Sequence, residues 1–218
     1  MELNGYLAHI AELQRAAWPA SAPRAPVYPL GEQPLTDYLR HWARTQPEAI
    51  AIDFYGHRLT WAALDRLSDQ FAALLAEQGI GVGDRVAVYL PNCPQLHIAF
   101  YGLLKRGAIY APVSPLAKGM ELSYQLKDCG ATALLCFDLL LPYVQQVRAE
   151  TELKWVFATS FSELGPFDAD IPLPDLCLAP KAAAVDGVID FMSAISACEA
   201  PVPAHTIALE DIAALNYT

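Results

Sequence analysis

The sequence offers little to a thiol-based metal site or a disulfide framework. Its five cysteines stand at 93, 129, 136, 177 and 198, an odd number with no C-x-x-C pair. Zinc ribbons and secreted disulfide scaffolds are therefore disfavoured, and buried thiols in a cytoplasmic setting are the simplest reading. Positive charge is scarce too: 14 Lys and Arg face 24 Asp and Glu, a net charge of -10. That balance repels phosphate backbones, so nucleic acid is not an expected partner. No block of Lys and Arg offers a patch for an anionic membrane surface. Long apolar runs are also missing. The longest candidate, Ala131 to Val144, contains Asp138 and Pro142 and falls short of the roughly 18 residues that a spanning helix needs. The opening MELNGYLAHIAELQRAAWP lacks a basic n-region and carries Glu2 and Glu12, so it does not read as a secretory signal.

What the chain does have is apolar substance: 54% of its 218 residues are hydrophobic and 17% are charged, enough to bury a core in one large or two small domains. Residues 1–33 read as a short helix and a Pro-rich extension, with Pro19, Pro23, Pro26 and Pro29 expected to hold the chain extended. Leu35, Tyr38, Leu39 and Trp42 then repeat at helical spacing, up to Pro47. Residues 49–54 and the HRLTW segment after Gly56 predict a hairpin, and Thr60 is placed to cap a long helix that Gly79 stops. From residue 84 to 159 apolar runs suited to strands (84–90, 108–113, 131–137, 154–159) alternate with helical patterns: one that follows the turn 91–94 and ends near Lys105, Arg106 and Gly107, then 121–128 and 139–150. The expected fold is α/β, with βαβ units around a largely parallel sheet, in a subdomain spanning 34–160. Residues 161–218 read as an irregular segment with a helical pattern around Val188 to Ile195, closing on a strand, DIAALNYT.

Motif by motif, the residues give no complete active site. Gly79, Gly81 and Gly83 lie after a helix and before a strand, the wrong order for a phosphate loop, so a cap plus a turn is expected. Cys93 and His97 are four apart on a helix, but no further ligand follows at matching spacing. There is no G-x-S-x-G elbow. Asp65 and Asp69, one turn apart, read as a solvated face rather than a catalytic pair. Asn92 follows a strand's carboxyl end, where open α/β sheets bind ligands, and reads as a helix cap. No catalytic residue and no metal ligand is assigned.

The order of segments adds information. RLTWAALDRLSDQFAALLAEQGIGVGDRVAVYLPN (58–92), LLKRGAIYAPVSP (103–115), the run Glu121, Leu122, Tyr124, Leu126, Asp128, Gly130, Ala131, and the closing DIAALNYT together resemble the AMP-forming acyl-CoA synthetases of the adenylate-forming superfamily. Trp61 and Arg106 depart from the family's usual Tyr and Ala. In that family D-x-A-x-L-x-Y-T leads into a loop of the type [SG]-G-T-T-G-x-P-K-G that wraps the ATP phosphates. Asp211, Ala213, Leu215, Tyr217 and Thr218 match the lead-in, and the loop's Gly, Thr and Lys residues do not follow within the sequence. The resemblance implies a parent enzyme that uses ATP, Mg²⁺ and coenzyme A on a fatty or aromatic carboxylic acid. Tyr217 and Thr218 would mark the entrance to its ATP site. It also implies an amino-terminal fragment that is inactive alone and holds none of these cofactors. Two other readings stay open: a stand-alone interaction or dimerisation module, such as a homodimer, suggested by the apolar balance; and an unrelated Rossmann-like nucleotide binder, which the misplaced glycine run disfavours.

Overall fold

The computed structural model describes residues 3–199 and 206–217. It divides the chain into two compact units, Met1–Gln33 and Pro34–Thr218. The first contains helix α1 (Leu3–Ala17), none of whose residues is buried. The proline stretch after it is not simply extended. It folds back in turns in which Ala22 N donates to Pro19 O (3.0 Å) and Gly31 N to Tyr28 O (3.0 Å).

The second unit opens with α2 (Leu35–Thr45) and an antiparallel hairpin, β1 (Ile50–Phe54) and β2 (His57–Thr60). Thr60 then starts α3 (Trp61–Glu77), its hydroxyl accepting from Ala63 N at 3.2 Å, which satisfies one of the first-turn amides. Next come β3 (Arg85–Tyr89), α4 (Pro94–Arg106), β4 (Ile109–Pro112), α5 (Gly119–Asp128), β5 (Ala133–Phe137), α6 (Leu141–Arg148) and β6 (Trp155–Thr159). After a single 3₁₀ turn (Phe161–Leu164) the chain forms α7 (Asp175–Leu178), β7 (Ile189–Asp190) and α8 (Phe191–Ala197). The helical pattern at 188–195 thus hides a two-residue strand. The helix expected over 139–150 is a 3₁₀ turn (Asp138–Leu140) followed by the shorter α6.

Among the described residues, five strands form one sheet in the order β4-β3-β5-β6-β7, every neighbouring pair parallel. Because the side-chain period of a strand is two, β3 sends Val86 and Val88 to one face and Ala87 and Tyr89 to the other. Both faces are buried. One packs on α3, α4 and α8 through Phe71, Leu75, Ile98, Leu103 and Phe191, and the other on α5 and α6 through Leu122, Leu126, Val144 and Val147. That is why the strand sequences are almost wholly apolar instead of alternating. Gly102 lets α3 and α4 meet closely: a Cβ there would stand 2.7 Å from Phe71 Cδ1 and 3.0 Å from Ser68 O. Gly107 ends α4 in the left-handed region (φ 70°), returning its N–H to Leu103 and Leu104 carbonyls.

The closing segment is less regular than expected. Instead of a strand, residues 206–217 make a single parallel bridge, Tyr110 to Ala214. In it Tyr110 N donates to Ala213 O (3.0 Å) and Leu215 N to Tyr110 O (2.9 Å).

Candidate functional site

In an open parallel sheet, ligands gather where successive connections leave the strand ends for opposite faces. Here β3 feeds α4 on one face while β5 feeds α6 on the other, so the switch lies between the carboxyl ends of β3 and β5. Leu90–Cys93, Asp138 and the loop 113–118 border it. Tyr89, fully buried, donates its hydroxyl to Ala117 O and so ties that loop to β3. Burial pushes the Tyr89 phenol up to about 12, so it stays a donor at any physiological pH. Lys118 lays its ammonium 4.6 Å from the centre of the Tyr143 ring, a cation–π contact.

The start of α4 differs from the sequence expectation. Its cap is Cys93, not Asn92, and no side chain caps the helix. Asn92 lies one residue too early and is exposed. Pro94 occupies the first turn, where its missing N–H costs nothing. Burial drives the Cys93 thiol up to about 12, leaving essentially no thiolate to act as a nucleophile at neutral pH. Its carbonyl lies 3.0 Å from His97 Nδ1, which accounts for the four-residue spacing without a metal. Among the described residues, no group of three or more His, Cys, Asp or Glu side chains could hold a metal ion. The five cysteines are all free and buried.

A triphosphate needs convergent donors, and the glycine run does not supply them. Gly79 N is bonded to Ala76 O (3.0 Å) and Gly83 N to Gly107 O (3.0 Å). Gly81 N is held by Asp84 Oδ2 (2.8 Å). The amides are consumed inside a cap and a turn, as the order of elements predicts. Gln95 reaches from the start of α4 to Ser160 O with its Nε2 (3.0 Å). Its buried Oε1 has no protein partner, but an acceptor is the wrong polarity for a phosphate oxygen. Neither the glycine run nor Gln95 therefore offers the donors that MgATP needs.

Of the two residues tied to the ATP site by resemblance, Thr218 lies outside the described residues. Tyr217 is half-buried on the α5 side of the sheet. Its hydroxyl donates to Asp128 Oδ2 at 2.6 Å, and its ring meets Tyr124 edge-on at 6.4 Å. Burial and the Asp128 carboxylate both push the phenol well above its ordinary range. The hydroxyl is thus engaged in anchoring the segment.

Asp65 and Asp69 are not a solvated face. Arg40 from α2 clamps both, with Nη1–Oδ2 at 3.1 Å to Asp65 and Nη2–Oδ1 at 2.7 Å to Asp69. Lys105 of α4, its side chain only 2% exposed, reaches the same pair at 2.6 and 2.9 Å. It also donates to Asp65 O (2.8 Å) and Ser68 Oγ (2.9 Å). Burial pulls the Lys105 ammonium below the usual lysine range, against the two aspartates. At Asp69 burial pushes the carboxyl up, but the Arg40 hydrogen bond and the Lys105 charge outweigh it and hold it below its ordinary value. The cluster locks three helices and leaves no carboxylate available for acid–base work. The signal for it was in the sequence: Lys105 sits at i+7 from Ile98 and i+3 from Gly102, on the buried stripe of α4. A lysine there requires carboxylate partners.

The chain matches the AMP-binding enzyme family over residues 39–218. A long-chain-fatty-acid–CoA ligase of Bacillus subtilis (strain 168) is 38% identical over 148 residues, 67% of this chain and 26% of the relative. This chain spans about a quarter of the length of the curated relatives it matches. Among solved structures, the anthranilate CoA ligase AuaEII in complex with anthranoyl-AMP superposes with a TM-score of 0.71 at 21% identity, over 84% of this chain and 32% of that one. The apo structure of Mycobacterium smegmatis MbtA gives 0.63 at 30% identity, over 94% and 32%. With the matched residues covering most of its length and its parallel sheet in the arrangement of the amino-terminal domain of adenylate-forming enzymes, this chain belongs to the AMP-binding enzyme family.

Proposed function

We propose that this chain is the scaffold part of an ATP-dependent acyl-CoA ligase and does not catalyse adenylation by itself. In the whole protein a carboxylate oxygen attacks the α-phosphorus of ATP and pyrophosphate leaves. The sulfur of coenzyme A then attacks the acyl carbon, the C–O bond to AMP breaks, and the thiol proton is lost. The carboxylate needs this activation because its own oxygen is a poor leaving group. Donors and Mg²⁺ in the whole protein would neutralise charge on the phosphates in that step. The observation that carries this reading is the parallel bridge of Ala214 to Tyr110. It sets Ala214 and Leu215 beside β4 in the parallel sense, and on this reading Tyr217 and Thr218 lead toward the nucleotide. A fatty or aromatic carboxylic acid is the proposed substrate, since the relatives carry names of both kinds. The buried free thiols support a reducing cytoplasm as its compartment.

The test is ATP–pyrophosphate exchange. The 218-residue chain should give none with any carboxylic acid, and the same chain extended by its downstream coding sequence should exchange. Exchange by the short chain alone would defeat the proposal.

One observation favours a second reading, an interaction or dimerisation module. Leu116 and Met120 are 85% and 87% exposed, with Tyr124 one turn further along α5. A patch of this kind on a folded chain calls for a partner. Light scattering at rising concentration should then show a dimer, and a monomer throughout would remove this reading.

A further inference from the structure

A segment without regular structure, residues 181–188, leads from the carboxyl ends of β5 and β6 to the start of β7, and two adjacent residues fasten its first end. Ala182 N donates to Asp138 Oδ2 at 2.8 Å, while Asp138 Oδ1, at the end of β5, accepts from Leu139 N at 2.9 Å. Lys181 bridges Glu163, which follows β6, and Asp190, which ends β7. Each of these carboxylates is independently fixed. Glu163 Oε2 accepts from Thr159 Oγ1 (2.5 Å) and Ser160 N (2.9 Å). Asp190 Oδ1 caps α8 through Ser193 N (2.9 Å). Both anchors are tied by bonds of their own, and the Lys181 side chain that joins them is 40% exposed.

What lies between the fastenings holds weakly. Ala183, Ala184, Asp186 and Gly187 are exposed, and Val185 and Val188 are only partly covered. At the far end Arg148 Nη1 donates to Gly187 O (3.2 Å), and Val188 N closes a turn inside the segment on Val185 O (3.1 Å). Below it is a cavity of about 270 Å³ walled by Leu141, Ala158, Val185 and Val188, with Asp138 and Asp190 at its edge. Few buried apolar contacts and half-exposed polar ties are the marks of a region that opens well below the global unfolding free energy.

We propose that residues 181–188 form a strap that opens as a unit over this cavity, with Lys181 as its latch. Asp138 and Asp190 line the cavity with Lys181 as the one cation, so its mouth is net negative and disfavours carboxylates and phosphates. The strap is therefore separate from the adenylation chemistry proposed above, and its test does not depend on that chemistry.

Hydrogen exchange on the 218-residue chain decides the matter. Lys181→Met keeps the side-chain stem but loses both ion pairs. It should speed exchange across 181–188 about five- to tenfold, the weight of two half-exposed pairs, and in the parent 181–188 should already exchange through an opening well below that of residues 133–137 of β5. Lys181→Arg should stay near the parent. A Met variant that exchanges like the parent across 181–188, or a parent in which 181–188 and 133–137 open with one free energy, overturns the proposal. If the Met variant fails to fold, the unaltered chain serves. Raising NaCl from about 0.05 to about 0.5 M screens the latch and should speed 181–188 selectively; no change would equally overturn it.

Discussion

Two lysines of this chain are each joined to two carboxylates, and they work in opposite regimes. Lys105 meets Asp65 and Asp69 between α3 and α4 with its side chain 2% exposed, whereas Lys181 meets Glu163 and Asp190 at 40%. The ligand sets look alike, but the energetics do not. A buried pair is costly to assemble and costlier to break, because the stranded charge cannot be rehydrated without disrupting the core. An exposed pair trades weak attraction against side-chain entropy and is screened by salt. The first fixes how three helices cross. The second can come and go.

The largest effect expected from breaking this symmetry is at the buried end. Lys105→Met should destabilise the chain by about 3 kcal/mol, since it strands Asp65 and Asp69 with Arg40 as their remaining cation. Urea unfolding measures it, and a loss under about 1 kcal/mol would mean that the cluster behaves like a surface pair. Close behind comes Gly102→Ala. Its Cβ would lie 2.7 Å from Phe71 Cδ1 and 3.0 Å from Ser68 O, so α3 and α4 must separate at a cost of about 2 kcal/mol, read in the same unfolding curves. Acid comes next. The Asp69 pKa is held below its ordinary 3.8 in the folded chain. Its contribution is therefore complete above that value and is lost as pH falls through the lowered folded value. Unfolding midpoints should drop as pH falls below about 4, with a smaller drop in Asp69→Asn; an equal drop in both would assign the acid sensitivity elsewhere. The smallest effect is at the strap: Lys181→Met should change global stability by no more than about 1 kcal/mol. A global loss as large as that of Lys105→Met would erase the distinction between the two sites.

Local chemistry made much of the fold legible. The β1–β2 hairpin follows from strand-like runs around Gly56, the start of α3 from Thr60, and the parallel sheet from apolar strands alternating with helices. What was hidden depended on distant partners. Asp65 and Asp69 look solvated on α3 alone, because Arg40 and Lys105 arrive from other helices. Strand β7 has two residues, too few for a periodicity, and exists because Phe157 and Ala158 offer an edge. Asn92 is the better capping residue by type, yet Pro94 sets the helix start and makes Cys93 the cap. At the candidate site, sequence order identified the glycine run as a cap and a turn. The family resemblance singled out Tyr217, and only the fold shows its hydroxyl engaged by Asp128.

With the amides of its glycine run already bonded within the chain, the 218-residue protein is expected not to hold a triphosphate. Calorimetric titration of the 218-residue chain with MgATP tests this most directly. No saturable binding at millimolar nucleotide is the predicted result; a saturable isotherm in the micromolar range would contradict it.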